Sequence, residues 1–187
     1  MQERDNILRI FQEAKKAFVD GDSAKLKILS NQTNNTASLT QDPDNIATAV
    51  VIYALSKIIE RKEYYEKLPG WNKFYNTHLD SITKKIEALK RGDDEAFRRE
   101  LRRIREAIEA LSGQLGVYIQ DVFRKSSINR ASKIYEHGIS MEKTASLLGI
   151  TLFELASYAG QKEESELPQT KTIGVKERIK FAMDFFE

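Results

Sequence analysis

Residues 46–59, IATAVVIYALSKII, form the most apolar stretch of the chain. Lys57 is its one charge, and a helix that is apolar nearly all round belongs at the centre of a core. Asp42-Pro43-Asp44 precedes it as a helix start with proline in the first turn. The run RKEYYEK carries the helix outward, and Leu68-Pro69-Gly70 breaks it. The pattern predicts one helix over about 43–66.

On the N-terminal side, Ile7, Phe11, Ala14 and Phe18 recur at spacings of four, three and four, which places a helix over 3–19, ended by Gly21. Asp22 or Ser23 caps a second helix over 23–40, with Leu26, Leu29, Thr33, Ala37 and Thr40 on its inner face. The middle of that helix, SNQTNNTAS, is built from residues whose side chains compete for backbone hydrogen bonds. Asn31, Thr33, Asn34 and Asn35 are either a seam that meets a ligand or partner, a buried network that fixes helix register, or a solvated face.

On the C-terminal side, a fourth helix over 71–91 carries Phe74, Ile82, Ile86 and Leu89 on one face, with His78 close to it. Gly92 stops it, and Asp93-Asp94-Glu95 puts acids where the next helix dipole favours them. Phe97, Leu101, Ile104, Ile108 and Leu111 then step by 4, 3, 4 and 3, so the two helices form an antiparallel hairpin. Ser112-Gly113 and Gly116 mark a kink or interruption, beyond which the helical pattern continues to about Lys125. A separate helix is expected over 127–136, closed by His137-Gly138. Residues 161–174 are polar, contain Pro168 and read as a linker. Residues 175–187 read as a last helix with Val175, Ile179, Met183 and Phe186 on one side. The expected fold is all-α: an antiparallel helical bundle over 1–125, a small helix-turn-helix-like unit over 126–160, the linker, and the terminal helix.

Composition narrows the chemistry. The chain has 187 residues, 30 Lys+Arg, 28 Asp+Glu and a formal charge of +2 at pH 7. That balance argues against wholesale coating of nucleic acid. No cysteine is present, which excludes disulfides, thiolate zinc sites and a cysteine nucleophile. The opening MQERDNILRI lacks an apolar signal core, and no apolar run approaches the roughly 20 residues that span a bilayer, so a cytoplasmic protein without membrane contact is expected. No P-loop, GxGxxG or HExxH occurs. The only histidines, His78 and His137, lack acidic or imidazole partners at helical spacing. No metal, cofactor or catalytic residue is therefore assigned; a weaker enzyme reading of the Asn/Thr seam lacks a nucleophile–base pair.

Two charged or aromatic features have a functional and a structural reading. In FRRELRRIRE, Arg98, Arg102 and Arg105 share a helical face that could track phosphates. The structural reading makes it a solvated face with i,i+4 pairs Glu95–Arg99, Arg102–Glu106 and Arg105–Glu109. Trp71 and Phe74, with Tyr64, Tyr65, Arg61, Lys62 and Lys73, could stack bases, or could pack a helix end.

Residues 140–159, SMEKTASLLGITLFELASYA, match the requirements of a helix-turn-helix. Two short helices that cross steeply need a small residue where they meet, supplied by Ala145, and a turn that tolerates positive φ, supplied by Gly149. Thr151 can cap the second helix. Leu148, Ile150, Leu155 and Tyr158 fall where inner contacts belong.

The longer stretch ASKIYEHGISMEKTASLLGITLFELASYAG resembles the short helix-turn-helix module of small prokaryotic antitoxins and archaeal regulators. The resemblance spans about residues 128–160 and does not reach residues 1–125. It implies a homodimer on operator DNA and a C-terminal tail that wraps a partner protein. On that reading Thr151, Leu152, Phe153 and Ser157 face base edges, while Arg130, Lys133 and Lys143 position the phosphates. The outward residues include no Arg, Lys, Asn or Gln, the side chains that pair bidentately with purines. A second reading therefore stands beside the DNA-binding regulator: a helical adaptor in which the motif is structural and Val175, Ile179, Met183 and Phe186 dock a partner.

Overall fold

The computed structural model describes residues 1–136 together with Ser140, Glu142, Ala145 and Ala156. The described part is all-helical, with seven helices: α1 (Arg4–Asp20), α2 (Ser23–Thr40), α3 (Pro43–Glu60), α4 (Lys62–Tyr65), α5 (Trp71–Lys90), α6 (Asp94–Glu109) and α7 (Gly113–Glu136). No helix among the described residues is long and apolar enough to cross a membrane. The expected linker over 161–174 and last helix over 175–187 lie outside the described residues.

Local chemistry sets the helix starts. Asp22, Asp42 and Asp93 each stand one residue before a helix and accept a backbone N–H from its first turn. Each carboxylate satisfies a donor that the helix itself cannot. The connections that follow are short, so α2 and α3 form one antiparallel hairpin and α5 and α6 another. Helix α1 lies against α2, α3 and α5, and α7 packs on α3, α2 and α6.

The main core lies where α1 meets both hairpins. Ile7, Phe11, Ala14 and Phe18 of α1 join Leu26, Leu29, Ile52, Leu55, Ile82, Leu89 and Phe97. A second core unites Ile58, Tyr65, Trp71, Phe74, Ile104, Ile108, Leu115 and Ile119. The apolar segment 46–59 is buried on several sides, as its composition demands. Charge pairs fasten the outside: the Arg98 guanidinium grips the Asp44 carboxylate with three N–H bonds of 2.8 to 3.2 Å, linking α6 to the start of α3. Arg4 reaches Asp94 at 3.0 Å and links α1 to α6.

Two boundaries differ from the sequence pattern, and a third settles its choice between kink and interruption. The predicted helix over 43–66 is two helices broken at Arg61, a break that turns Tyr65 inward against Trp71. At Ser112-Gly113 the pattern is interrupted: α6 stops at Glu109, and α7 starts at Gly113, whose φ of 67° favours glycine. Most consequential, no break separates Lys125 from Ser127; α7 runs unbroken to Glu136, with Ile128, Ala131 and Ile134 buried and Ile134 packed on Ala37 and Ile46. The polar Arg124-Lys125-Ser126-Ser127 run reads as a boundary in sequence, but tertiary burial on both sides of it carries the helix through.

The α6–α7 turn depends on Gly116. A Cβ at that position would lie 2.5 Å from the Leu111 carbonyl oxygen, a backbone atom that cannot rotate away. Gly116→Ala is expected to lower the unfolding free energy by about 1–3 kcal/mol, measured as a shift of the denaturant midpoint. An unchanged midpoint would show that the turn relaxes freely.

A buried polar seam as the candidate functional site

The Asn/Thr-rich stretch of α2 faces inward, and it meets polar residues of α3 and α7. Ser30, Thr33 and Asn34 of α2, Asn45 and Thr48 of α3, and Arg130 of α7 are all buried. Of the three readings open in the sequence, the buried network describes Ser30, Thr33 and Asn34, while Asn35 is exposed. The hydroxyls satisfy themselves on backbone carbonyls: Ser30 Oγ donates to Ala49 at 2.7 Å, Thr33 Oγ1 to Leu29 at 2.9 Å and Thr48 Oγ1 to Asp44 at 2.7 Å. The Ser30–Ala49 bond fixes the antiparallel register, and one turn further along both helices Asn34 comes level with Asn45. The side-chain oxygens of Asn34 and Asn45 are buried without a hydrogen-bond partner among the described residues.

Arg130 closes the seam. Its side chain is 1% exposed. Nη1 donates to Asn31 Oδ1 at 2.8 Å, Nη2 donates to Asn129 Oδ1 at 2.8 Å, and the guanidinium carbon stands 3.8 Å from the centre of the Tyr53 ring. The planar cation donates to amide oxygens at its edge and stacks its face on an aromatic ring. Arg130 was expected to position a DNA phosphate; it lies inside the helical body instead, because α7 continues through it at a core-facing position. Lys133, the other described residue of that set, is half-buried on the next turn. Lys143, Thr151, Leu152, Phe153 and Ser157, and the tail residues Val175, Ile179, Met183 and Phe186, lie outside the described residues.

Two further buried bases stand on α5. His78 is 2% exposed, and its Nδ1 lies 2.9 Å from the Phe74 carbonyl. A carbonyl only accepts, so the neutral ring carries its proton on Nδ1 and leaves Nε2 bare. Nε2 is buried with no partner among the described residues. Burial pushes the imidazole down to about 3, against a smaller opposing effect of the Phe74 bond. Lys85 is 1% exposed, and its Nζ sits 5.6 Å from the centre of the Phe11 ring. Burial pushes this amine down to about 7, partly opposed by the Glu100 carboxylate. Among the described residues no group of three or more His, Cys, Asp or Glu is gathered as a metal ion would need.

The aromatic feature takes its structural reading. Trp71, Phe74 and Tyr65 are buried, so the aromatic group packs a helix end. On α6 none of the three expected i,i+4 pairs forms. Arg98 binds Asp44, Arg103 binds Asp80 at 3.1 Å and Glu100 at 3.2 Å, and Arg102 approaches Glu95 at 3.8 Å. Arg98 and Arg103 thus reach carboxylates on α3 and α5, across helices already packed together.

The sequence reading passed over Lys85, Asn45 and Tyr53. Lys85 carried a signal: His78, Ile82, Lys85 and Leu89 step by 4, 3 and 4, an inner stripe. Its charge argued for solvent, and position outweighs charge here. Arg130 is the same case, since Phe123, Ser126, Arg130 and Ile134 step by 3, 4 and 4.

No known protein family, curated protein or solved structure matches the chain.

Proposed function

We propose that the chain is a non-enzymatic DNA-binding regulator of the antitoxin-like kind, in which an antiparallel helical bundle carries a helix-turn-helix unit beyond α7. One observation carries this reading. Ala145 is helical and 4% exposed, whereas Glu142 and Ala156 are helical and exposed. A small residue buried at position 145 is what two steeply crossing helices require, and an exposed position 156 suits the outward side of a recognition helix. The bundle supports the reading by offering α7 as a helix unbroken to Glu136.

Burial of Arg130 removes it from the contact set. Lys133 and Lys143 then supply the phosphate contacts, and Thr151, Leu152, Phe153 and Ser157 the groove contacts. The test is binding to the DNA upstream of the protein's own gene across a salt series. Affinity is expected to fall linearly on a log–log plot, with a slope of about 0.9 per phosphate neutralised. Lys143→Glu is expected to weaken binding and to flatten that slope by about one unit. Absence of binding at low salt overturns the proposal and leaves the helical adaptor with a partner-docking tail.

A further inference from the structure

With no cysteine in the chain, the side chains that give up a single electron most readily are its one tryptophan and its tyrosines. Trp71 stands at the inner end of a row of such rings. Tyr65 stacks beside it, with ring centres 6.2 Å apart and planes 23° apart. Tyr65 in turn lies 5.7 Å from Tyr64 and 6.2 Å from Tyr118, and those two rings meet edge-on at 5.7 Å. Trp71 and Tyr65 are buried, whereas Tyr64 is 46% exposed and Tyr118 half-buried. The row therefore runs from the second core to the surface. The break at Arg61 builds it, since α4 then turns Tyr65 inward and leaves Tyr64 outward.

The outer end is chemically distinct. A phenol that loses an electron becomes a strong acid, so it keeps the vacancy only where its proton can leave. Tyr64 Oη donates to Tyr118 Oη at 3.2 Å, and Gln114 Nε2 donates to Tyr64 at 3.2 Å and to Tyr118 at 3.1 Å. The Tyr118 oxygen thus accepts two hydrogen bonds, and its own proton is left to water. The Tyr64 bond, and then the Gln114 bond, hold this phenol below the ordinary tyrosine range. Tyr75 is the other tyrosine beside Trp71, at 5.9 Å, and burial pushes its phenol up instead.

We propose that these rings form a relay for one oxidising equivalent, which carries an electron vacancy from Trp71 through Tyr65 to the Tyr64–Tyr118 pair. The relay answers a one-electron oxidant outside the protein. The oxidant takes one electron from the indole, Tyr65 restores it, and the surface pair restores Tyr65. One hydroxyl proton of the pair passes to water. The sum is one electron to the oxidant, one proton to solvent and one neutral tyrosyl radical at the surface, where a dissolved reductant can reach it. The relay goes beyond the DNA-binding reading, does not rest on it and is tested without DNA.

Light at the red edge of the indole absorption excites Trp71 alone, because phenols do not absorb there. A dissolved cobalt(III) ammine then takes the electron irreversibly. In the full chain the indole radical is expected to give way to a tyrosyl radical in a first-order step whose rate is independent of protein concentration. A nitroso spin trap, located by peptide mass spectrometry, is expected on Tyr64 or Tyr118. Tyr65→Phe keeps the ring and removes the stepping stone, and should lengthen the life of the indole radical severalfold. Tyr64→Phe with Tyr118→Phe should abolish trapping at this end. Trapping confined to Tyr75, no tyrosyl radical at all, or an indole radical whose lifetime ignores Tyr65→Phe overturns the relay. Should Tyr65→Phe disturb folding, read as a shifted denaturant midpoint, the trap positions in the unsubstituted protein decide: Tyr64 or Tyr118 supports the relay, and any other outcome refutes it. Loss of DNA binding in any variant bears on the functional reading and not on this one.

Discussion

Lys85→Met is expected to stabilise the protein by about 3 kcal/mol near neutral pH, one of the largest single gains the fold offers. The amine is buried against Phe11, with no ion pair within reach among the described residues, and burial holds it at about 7. In the unfolded chain a lysine titrates near about 10.4. Between those values the unfolded chain binds a proton that the folded protein does not. Stability from this group therefore rises as pH climbs from about 7 towards the unfolded value, and below about 7 the cost of burial is present in full. Methionine follows the same path without a charge. Denaturant unfolding at a series of pH values should show the gain and the loss of the alkaline rise. Lys84→Met is the control: Lys84 is exposed and paired with Asp80 at 2.8 Å, and its loss should change stability by less than about 0.5 kcal/mol. A Lys85→Met protein no more stable than the natural one, with the same pH profile, refutes the buried-amine account.

The second large effect is acid sensitivity from His78. Its imidazole is held at about 3 by burial, while an unfolded histidine titrates near about 6.5. The unfolded chain gains a proton across that window and the folded protein does not, so stability falls as pH drops from about 6.5 towards 3. The loss should reach a few kcal/mol at the acid end, at about 1.4 kcal/mol per pH unit while the imbalance lasts. His78→Leu keeps the apolar contact with Phe74 and Phe123 and removes the titration. The variant should hold its midpoint between pH 6 and 4 better than the natural protein does, after carboxylate effects common to both are subtracted. Parallel pH profiles for the two proteins would show that His78 is solvated in solution.

Much of the scaffold was legible because it rests on local rules. Asp22, Asp42 and Asp93 mark helix starts in sequence and cap helices in space. The 4, 3, 4 spacing of Ile7, Phe11, Ala14 and Phe18 marks the buried face of α1. What misled was polarity taken as a proxy for exposure. Lys85 and Arg130 occupy inner stripes, and a helix packed on both flanks has no means of turning one residue outward. The Arg124–Ser127 run misled in the opposite sense: a weak local signal for a boundary was overridden by burial before and after it. The candidate site was half legible, since the Asn/Thr stretch was singled out but its partners on α3 and α7 are distant in sequence. Arg130 and Asn31 are separated by 99 positions, and no local pattern joins them.

The lone tryptophan gives these experiments an optical handle. Trp71 is 4% exposed, stacked near Tyr65 and bounded by Phe74 and Tyr75. An indole that is dry when native and wet when denatured emits at longer wavelength after unfolding. This one belongs to the cluster shared by α5, α6 and the front of α7, and not to the cluster of Ala37, Ile46 and Ile134. Its fluorescence thus reports the loss of the first cluster and not of the second, so a signal elsewhere that precedes the indole shift marks a partial opening.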